Sequence, residues 1–526
     1  MHPTLLQDLK PPPQHMNQTY HHQNLHTQNF SYIPYFLRSY KPPRHPTKLA
    51  PTKAAQNTPL PQWLRNAEHF RLIPGIFPND MHYHFDGLAT VLKFSIDQDG
   101  NVTFFGKPFR SDAYTNYDSC LFFGTGTGPT LGSKLCFQNP GVNLLPFKNQ
   151  LWLTIDTSRW GRVDPHTLES FTGAKVEVPS LVLNAHPACD RNTDECFVQH
   201  PCPDGGNHPL SDKVCFSKLI IPEGENQINL GTKIISRAIL PSNKIIQHSH
   251  SPCVTPNFLV SKLDAFEVRS PFNSNAGVLK YVHQGEDSLW MIMDRNTKES
   301  RLSRSKADAS LGGGSFVNNH FWNCFEDAST GDIVVETVAT TKDYLDNYFD
   351  INLNKGASWH QLFYPALRCR ISPTKNMSLI PCEPMLKGSD SKTIFDYPTF
   401  NPLFKMSDQY RFFYAIAAAN TKTSKWFDEA IKVDTKQGRV VARWSAPNVY
   451  LTEFDFVPRG NSSAVQDEDD GVLMTVLYNA TSDKSSYAIF DAKKMAPLAT
   501  YDLGRAVPFH AHGISCRKGE ACFTNP

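Results

Sequence analysis

A strand, a turn bearing Gly, Asp or Asn, and a second strand recur along this chain of 526 residues, and that unit limits what it can fold into. Thr90–Ile96 runs into the turn Asp97-Gln98-Asp99-Gly100 and returns as Asn101–Phe105, a hairpin by its turn chemistry. The pattern comes back at Leu151–Asp156 with Gly161–Val163, at Asn257–Leu263 with Ala265–Val268, and at Trp290–Met293. It continues at Phe321–Phe325 with Asp332–Val338, Arg411–Ala417 with Trp426–Val433, and Val472–Tyr478 with Ser486–Asp491. Convincing helices are few. Hairpins spread over so long a chain need an architecture that covers sheet faces and hides sheet edges. Radially repeated antiparallel sheets do this, so the expected fold is all-β, a β-propeller, with paired β-sandwiches as the alternative. No strict short repeat exists, so blade number cannot be read from periodicity. The longer connections Cys196–Val214 and Tyr344–Leu367 are expected to cap one face.

Residues 1–57 are rich in Pro, His, Gln and Asn, hold one acidic residue, Asp8, and show no apolar periodicity. They read as a disordered leader, leaving 58–526 as a single propeller domain. The formal net charge of +2 and the lack of a basic run argue against nucleic-acid binding. No apolar run is long enough to span a membrane, and the first residues lack a signal-peptide core. The expected location is therefore cytoplasmic, not secreted. Most of the 12 cysteines then read as free thiols. Cys189, Cys196, Cys202 and Cys215, with His200 and His208 between them, are an alternative zinc cluster, but their spacing departs from the usual paired pattern.

Four histidines sit in comparable settings, each near a strand and beside polar or turn residues: His186, His250, His320 and His512. Local ligand motifs are absent. A propeller could bring them together on its axis, and hydrogen-bonded loop histidines are the plainer alternative. His248 and His510, two residues from His250 and His512, compete with them for any such role.

The motifs around these histidines resemble the carotenoid cleavage oxygenase family from about His82 to Gly513. Met81-His82-Tyr83-His84-Phe85-Asp86-Gly87 is similar to its His-Trp-Phe-Asp-Gly segment, and Asp164-Pro165-His166-Thr167-Leu168-Glu169 to its Asp-Pro-x-Thr-Leu-Glu. Ala185-His186-Pro187, His250-Ser251-Pro252-Cys253-Val254-Thr255-Pro256-Asn257-Phe258 and His320-x-x-Asn323-x-x-Glu326 resemble three successive ligand motifs. Glu453–Arg459, Glu468-Asp469-Asp470-Gly471 and His512-Gly513 complete the series in order. Each motif is weak alone; the ordered set is specific.

The resemblance implies a seven-bladed β-propeller with a loop or helix cap and one non-haem Fe(II) on the axis, held by His186, His250, His320 and His512. Imidazole donors suit iron. Only His250 keeps the family's spacing to Thr255 and Asn257, and only His512 precedes glycine. The family also has carboxylates that accept hydrogen bonds from ligand histidines, which by position are Asp156, Asp396 and Glu453. It normally uses glutamate at all three, so the two shorter aspartates require either a closer backbone or an intervening water. Phe321 and Trp322 are the candidates for lining a substrate tunnel. The family's Arg-Asn-Gly-Pro-like segment is altered here, where Trp63-Leu64-Arg65-Asn66 runs into Ala67–Pro74. The first blade is thus expected to be irregular or closed differently.

The chemistry implied is cleavage of a conjugated C=C bond by dioxygen to give two carbonyl products. Phe85-Asp86-Gly87-Leu88, Arg110–Tyr114 and Asn184–Pro187 look most like the fungal branch that cleaves torulene or β-carotene. The expected protein is a monomer that takes a carotenoid or apocarotenoid and O2 while peripheral to membranes or lipid bodies. A stilbenoid dioxygenase with the same iron and a non-catalytic propeller binding lipid or protein are the rival readings.

Overall fold

The computed structural model describes residues 40–517 apart from 53–59, 78–83, 85–86, 117–119, 122–133, 136–137, 179, 181, 203–211, 223–228, 241–245, 269–278, 282–287, 306–315, 342–343, 345–361 and 461–466. Seven mostly antiparallel sheets form the blades of a β-propeller. Blade 1 holds Ala67–Ile76, Leu88–Ile96 and Val102–Pro108; blade 2 holds Asn143–Phe147, Gln150–Thr154 and Gly161–Val163. Blade 3 runs from Ala188–Asp190 out to Leu230–Ile239, and blade 4 from Ile246–His248 to Ser300–Ser305. Blade 5 spans Val317–Glu326 to Ser378–Pro384, blade 6 Phe395–Phe400 to Arg439–Ser445, and blade 7 Val449–Leu451 to Ala496–Asp502.

The core lies between blades. One apolar cluster joins Leu92 and Phe94 of blade 1 to Val476 and Ile489 of blade 7, and another joins Trp152 of blade 2 to Val198 of blade 3. Strands near the axis are therefore covered on both faces. Ile333–Thr340 and Glu429–Asp434 are buried at every residue, so they read as continuous runs rather than alternating ones. The outer strand Arg439–Ser445 alternates exposed and half-buried positions, as one solvated face requires.

Blade 1 shifts register between Pro74 and Ile76 and is closed by the far end of the chain. Gly513–Arg517 pairs antiparallel with Ala67–Ile76, placing Gly513 opposite Arg71. Ala67–Ile76 is a ten-residue strand that carries this irregularity, and Gln62–Leu64 before it is a 3-10 turn. Residues 40–52, assigned by sequence to the leader, also pack on this region. Thr47–Lys48 pairs with Val102–Pro108, and Tyr40 and Leu49 are buried in the blade 1–blade 7 core.

Three further expectations change. Asn257–Val268 is not a hairpin, because Phe258–Val268 is one strand. Cys196–Pro201, expected in a capping loop, belongs to the strand Glu195–Pro201, while most of Tyr344–Leu367 lies outside the described residues. The cysteines are not thiols. Cys189–Cys196, Cys202–Cys215, Cys253–Cys324 and Cys369–Cys382 are disulfides, Cys516 is also disulfide-bonded, and no described cysteine is free. The zinc alternative fails for the same reason, since all four of its sulfurs are already bonded. No helix among the described residues is long and apolar enough to cross a membrane.

Candidate metal centre

Each blade sends one candidate group to the axis. His186 directly precedes the inner strand of blade 3, and His250 lies between Ile246–His248 and Cys253–Val254 of blade 4. His320 is in the inner strand of blade 5, and His512 precedes the closing strand of blade 1. Asp156, Asp396 and Glu453 come from blades 2, 6 and 7.

The four histidines meet. The His186 ring centroid lies 4.7 Å from that of His250, 5.2 Å from His320 and 4.4 Å from His512. His320 is 5.5 Å from His250 and 5.0 Å from His512. Ligand atoms of His186, His320 and His512 lie within 4.8 Å of one another. The backbone N–H of His186 donates to the His250 carbonyl at 3.2 Å, tying blades 3 and 4 at the axis.

The carboxylates set which ring nitrogen faces inward. His250 Nδ1 lies 2.8 Å from Asp156 Oδ2, and His320 Nδ1 lies 2.8 Å from Asp396 Oδ1. His512 Nδ1 is 3.2 Å from both oxygens of Glu453. Against burial, the charges and hydrogen bonds of His250 and His248 hold the Asp156 carboxyl well below its usual range, so it accepts, His250 Nδ1 carries the proton and Nε2 keeps its lone pair; burial, then the Asp455 charge, instead raises Glu453 well above that range. His186 Nε2 is buried without a hydrogen-bond partner, which a buried polar atom avoids unless something binds there. Burial, then the neighbouring histidines, hold the His186 and His512 rings well below the usual imidazole range. Burial is the largest influence on His250 and acts to lower it, but the charge and hydrogen bond of Asp156, with the charges of Asp396 and Asp264, together outweigh it and raise that ring. An orphaned nitrogen and a set of inward imidazoles fit a dication of borderline softness. His186, His320 and His512 form the group whose ligand atoms lie close enough to hold it, and the His250 ring stands beside that of His186.

Both aspartates make direct contact, so no water is needed to bridge the shorter side chain. At Asp396 the backbone supplies the reach. Tyr397 has a left-handed φ of 54° and the strand register shifts between Asp396 and Thr399. Such a bulge re-aims a side chain at a local backbone cost. The Tyr397 N–H also donates to Asp396 Oδ1 at 2.7 Å, and its ring lies 5.4 Å from His320 and 5.6 Å from His512. Burial, then the charges of Asp396 and Glu453, raise the Tyr397 phenol well above its ordinary value, so it stays neutral.

The competing histidines separate. His510 Nδ1 hydrogen-bonds the Pro508 carbonyl at 2.9 Å, and charges on Arg71, His69 and His84 bear on it rather than the cluster. His248 Nε2 lies 2.9 Å from Asp156 Oδ1. One carboxylate therefore spans His248 and His250, and His248 fixes Asp156 from its other oxygen.

Sequence reading missed Arg71. Its guanidinium, fully buried, donates to the Glu453 carbonyl at 3.1 Å, to Asp455 Oδ2 at 2.8 Å and to the Ala511 carbonyl at 3.1 Å. His69 Nε2 lies 2.7 Å from the same Asp455 oxygen. Arg71 thus locks the His512 segment to the Glu453 segment across the closure. A Cβ on Gly513 would come within 2.5 Å of Asp455 Oδ2 and 2.6 Å of Arg71 Cδ, so only glycine fits after His512. The available signal was a charged residue between the apolar Phe70 and Leu72.

A cavity of about 290 Å³ opens beside the cluster, lined among others by His186, His320, Phe321, Trp322, Tyr397 and Lys405. The two residues chosen from sequence as tunnel candidates are both in its wall. Phe321 stacks on Trp290 with centroids 5.8 Å apart, and Trp322 Nε1 donates to the Tyr410 hydroxyl at 3.0 Å.

A family described as retinal pigment epithelial membrane protein matches residues 46–514. Among curated proteins, a carotenoid dioxygenase of Neurospora crassa is 22% identical over 408 residues, 70% of this chain and 62% of that protein. The apocarotenoid-15,15'-oxygenase of Synechocystis is 23% identical over 470 residues, 82% of this chain and 86% of that one. Among solved structures, a Synechocystis apocarotenoid oxygenase mutant superposes with a TM-score of 0.71 at 18% identity, covering 93% of this chain and 98% of that one. A cobalt-substituted form of the Synechocystis enzyme gives 0.69 at 18% identity, over 92% of this chain and 98% of that one.

Proposed function

The chain belongs to the carotenoid oxygenase family, and from that premise we propose that it is an Fe(II) dioxygenase cleaving a conjugated C=C bond of a carotenoid or apocarotenoid, of torulene or β-carotene type, into two aldehydes. The observation that carries this reading is the convergence of four histidines from four blades, three of them oriented by carboxylates. The relatives named carotenoid dioxygenase and apocarotenoid oxygenase support the substrate class.

In this reading Fe(II), held by His186, His250, His320 and His512, supplies the activation of dioxygen. The double bond breaks, each of its carbons takes one oxygen atom, and no external reductant is consumed. The residues of the chain do the rest. Asp156, Asp396 and Glu453 hydrogen-bond the Nδ1 atoms and fix the rings. Phe321, Trp322 and Phe400 supply an apolar wall that excludes water and positions the polyene. A polyene offers few hydrogen-bonding groups, so selectivity rests on the cavity's shape, which separates close analogues weakly. Neutral Tyr397 buttresses the His320 and His512 rings.

A second reading, a phenolic stilbenoid substrate, is favoured by Lys405. It lines the cavity, and the Asp190 charge bears on its amine. Burial lowers its pKa, and a phenolate or other acceptor at one end of the substrate would find a donor there. The experiment is product analysis after anaerobic Fe(II) loading, with a panel of torulene, β-carotene, apocarotenals and resveratrol-like stilbenes. Paired aldehydes from a carotenoid support the first reading. Cleavage of stilbenes alone supports the second. Absence of bound iron after loading removes both.

A further inference from the structure

The cross-links and three surface turns point to a compartment the sequence did not suggest. We propose that this chain matures in an oxidising compartment, where Asn101, Asn376 and Asn479 carry N-linked glycans. Disulfides are rare in reducing compartments, where buried cysteines stay thiols. Here nine described cysteines are disulfide-bonded, and none is free. The bonds are built into the strand pairing. Cys189 and Cys196 face each other in register within blade 3, Cys202–Cys215 closes the next pair of strands, and Cys369–Cys382 joins neighbouring strands of blade 5. Cys253–Cys324 joins blades 4 and 5. The free-thiol expectation followed from the cytoplasmic one, and the bonded cysteines do not fit it.

The second observation is independent of the cysteines. Asn101-Val102-Thr103, Asn376-Met377-Ser378 and Asn479-Ala480-Thr481 are acceptor triplets for N-glycosylation. Asn101 and Asn376 stand at turns, and Asn479 is the last paired residue of its strand, next to the hairpin turn. Asn101 follows the Asp97–Gly100 turn, Asn376 precedes Ser378–Pro384 with a left-handed φ of 57°, and Asn479 ends the strand Gly471–Asn479. Asn376 is exposed and the other two are half-buried. None lines the cavity at the histidine cluster, so a glycan on each extends into solvent and leaves the cavity open.

Each disulfide forms by two-electron oxidation of two thiols, their electrons passing to a disulfide-bearing oxidoreductase of that compartment and two protons being released. In each glycosylation the asparagine Nδ2 displaces the pyrophosphate of a lipid-linked oligosaccharide. A C–N bond forms, the sugar C–O bond breaks and the amide loses one proton.

The test takes the full chain, tagged at its own locus, from the cells that make it. Thiols are blocked in intact cells before lysis, and peptides are mapped without reduction. A second sample is treated with peptide-N-glycosidase in ¹⁸O water. The expected result is recovery of the four cysteine pairs as cross-linked peptides and conversion of Asn101, Asn376 and Asn479 to ¹⁸O-aspartate. Asn376→Gln should remove one step of gel mobility, as should Ser378→Ala, with iron content unchanged. Recovery of these cysteines as singly blocked thiols, or of all three asparagines unmodified, would overturn the proposal.

Discussion

Replacing Cys253 and Cys324 together by Ala tests whether the blade 4–blade 5 cross-link supports the histidine cluster. Cys253 is three residues beyond His250 and Cys324 four beyond His320, so the bond joins two segments that carry candidate ligands. It closes a separation of 71 residues, whereas Cys369–Cys382 closes 13 within one blade. The loop-entropy relation gives about 4.4 kcal/mol for the first and about 2.9 kcal/mol for the second. With about 2.1 cal/mol/K of unfolding entropy per residue, a domain of about 470 residues loses roughly 4 °C and 3 °C of Tm respectively. The iron readout should separate the pairs more sharply. Thr255 Oγ1 and the Asn257 N–H both donate to Glu326 Oε1, at 2.6 and 2.8 Å, so the two segments stay near each other without the bond but lose their covalent limit. The Cys253→Ala/Cys324→Ala protein should lose iron on dialysis faster than wild type, and the Cys369→Ala/Cys382→Ala protein should match wild type. Calorimetry and iron analysis of the three proteins provide the assay. Equal Tm losses with equal iron retention would refute the reasoning from loop length and from position.

Asp396→Asn should weaken iron binding about 10- to 100-fold, the usual effect of removing a carboxylate that orients a ligand histidine. Iron titration of the purified variant checks it, and unchanged affinity would exclude the role. His320→Ala should abolish cleavage and iron binding, while His248→Ala keeps part of both, because Asp156 still holds His250 Nδ1; equal loss in the two would refute the choice of ligands. Lys405→Met should raise the ratio of kcat/KM for an unsubstituted carotene over a hydroxylated or phenolic substrate, and an unchanged ratio in competition assays would dismiss Lys405 from recognition. His200 is buried against the Pro201 carbonyl and Ser217 Oγ, and burial lowers its pKa to about 4 from 6.5. The unfolded ring therefore binds its proton first as pH falls. Stability from this group is intact above pH 6.5 and drops by about 3 kcal/mol as pH approaches 4. Urea unfolding of His200→Gln at pH 7 and pH 4.5 should show a smaller pH effect than wild type, and an identical pH effect would remove His200 as the cause.

The parts legible in sequence share one property: they are local. Turn chemistry marked Asp97–Gly100 and the hairpin at Gly471–Asn479 and Lys484–Asp491, and the spacing from His250 to Thr255 and Asn257 distinguished it from His248. Arg71 was not legible. Strands near the axis are buried on both faces, so no alternation marks which positions turn inward, and its partners Glu453, Asp455 and Ala511 lie more than 380 residues away in sequence. The two aspartates could be ranked as carboxylates near the axis, but a side chain one methylene short makes contact only if the backbone moves. The bulge at Tyr397 that moves it at Asp396 has no local glycine to announce it. The cysteines failed for a related reason, since thiol and disulfide differ only in whether two distant Cα atoms come within about 7 Å.

The sequence by itself determined an all-β series of hairpins and the family motifs, through whose resemblance the four histidines are singled out, because each motif depends on residue type at short range. The tertiary structure alone decided that the closing strand pairs with blade 1, that Asp156 spans His248 and His250, and that the cysteines are bonded. Each of those outcomes is a distance between segments brought together only by closing the ring, and chain-local chemistry carries no information about such distances.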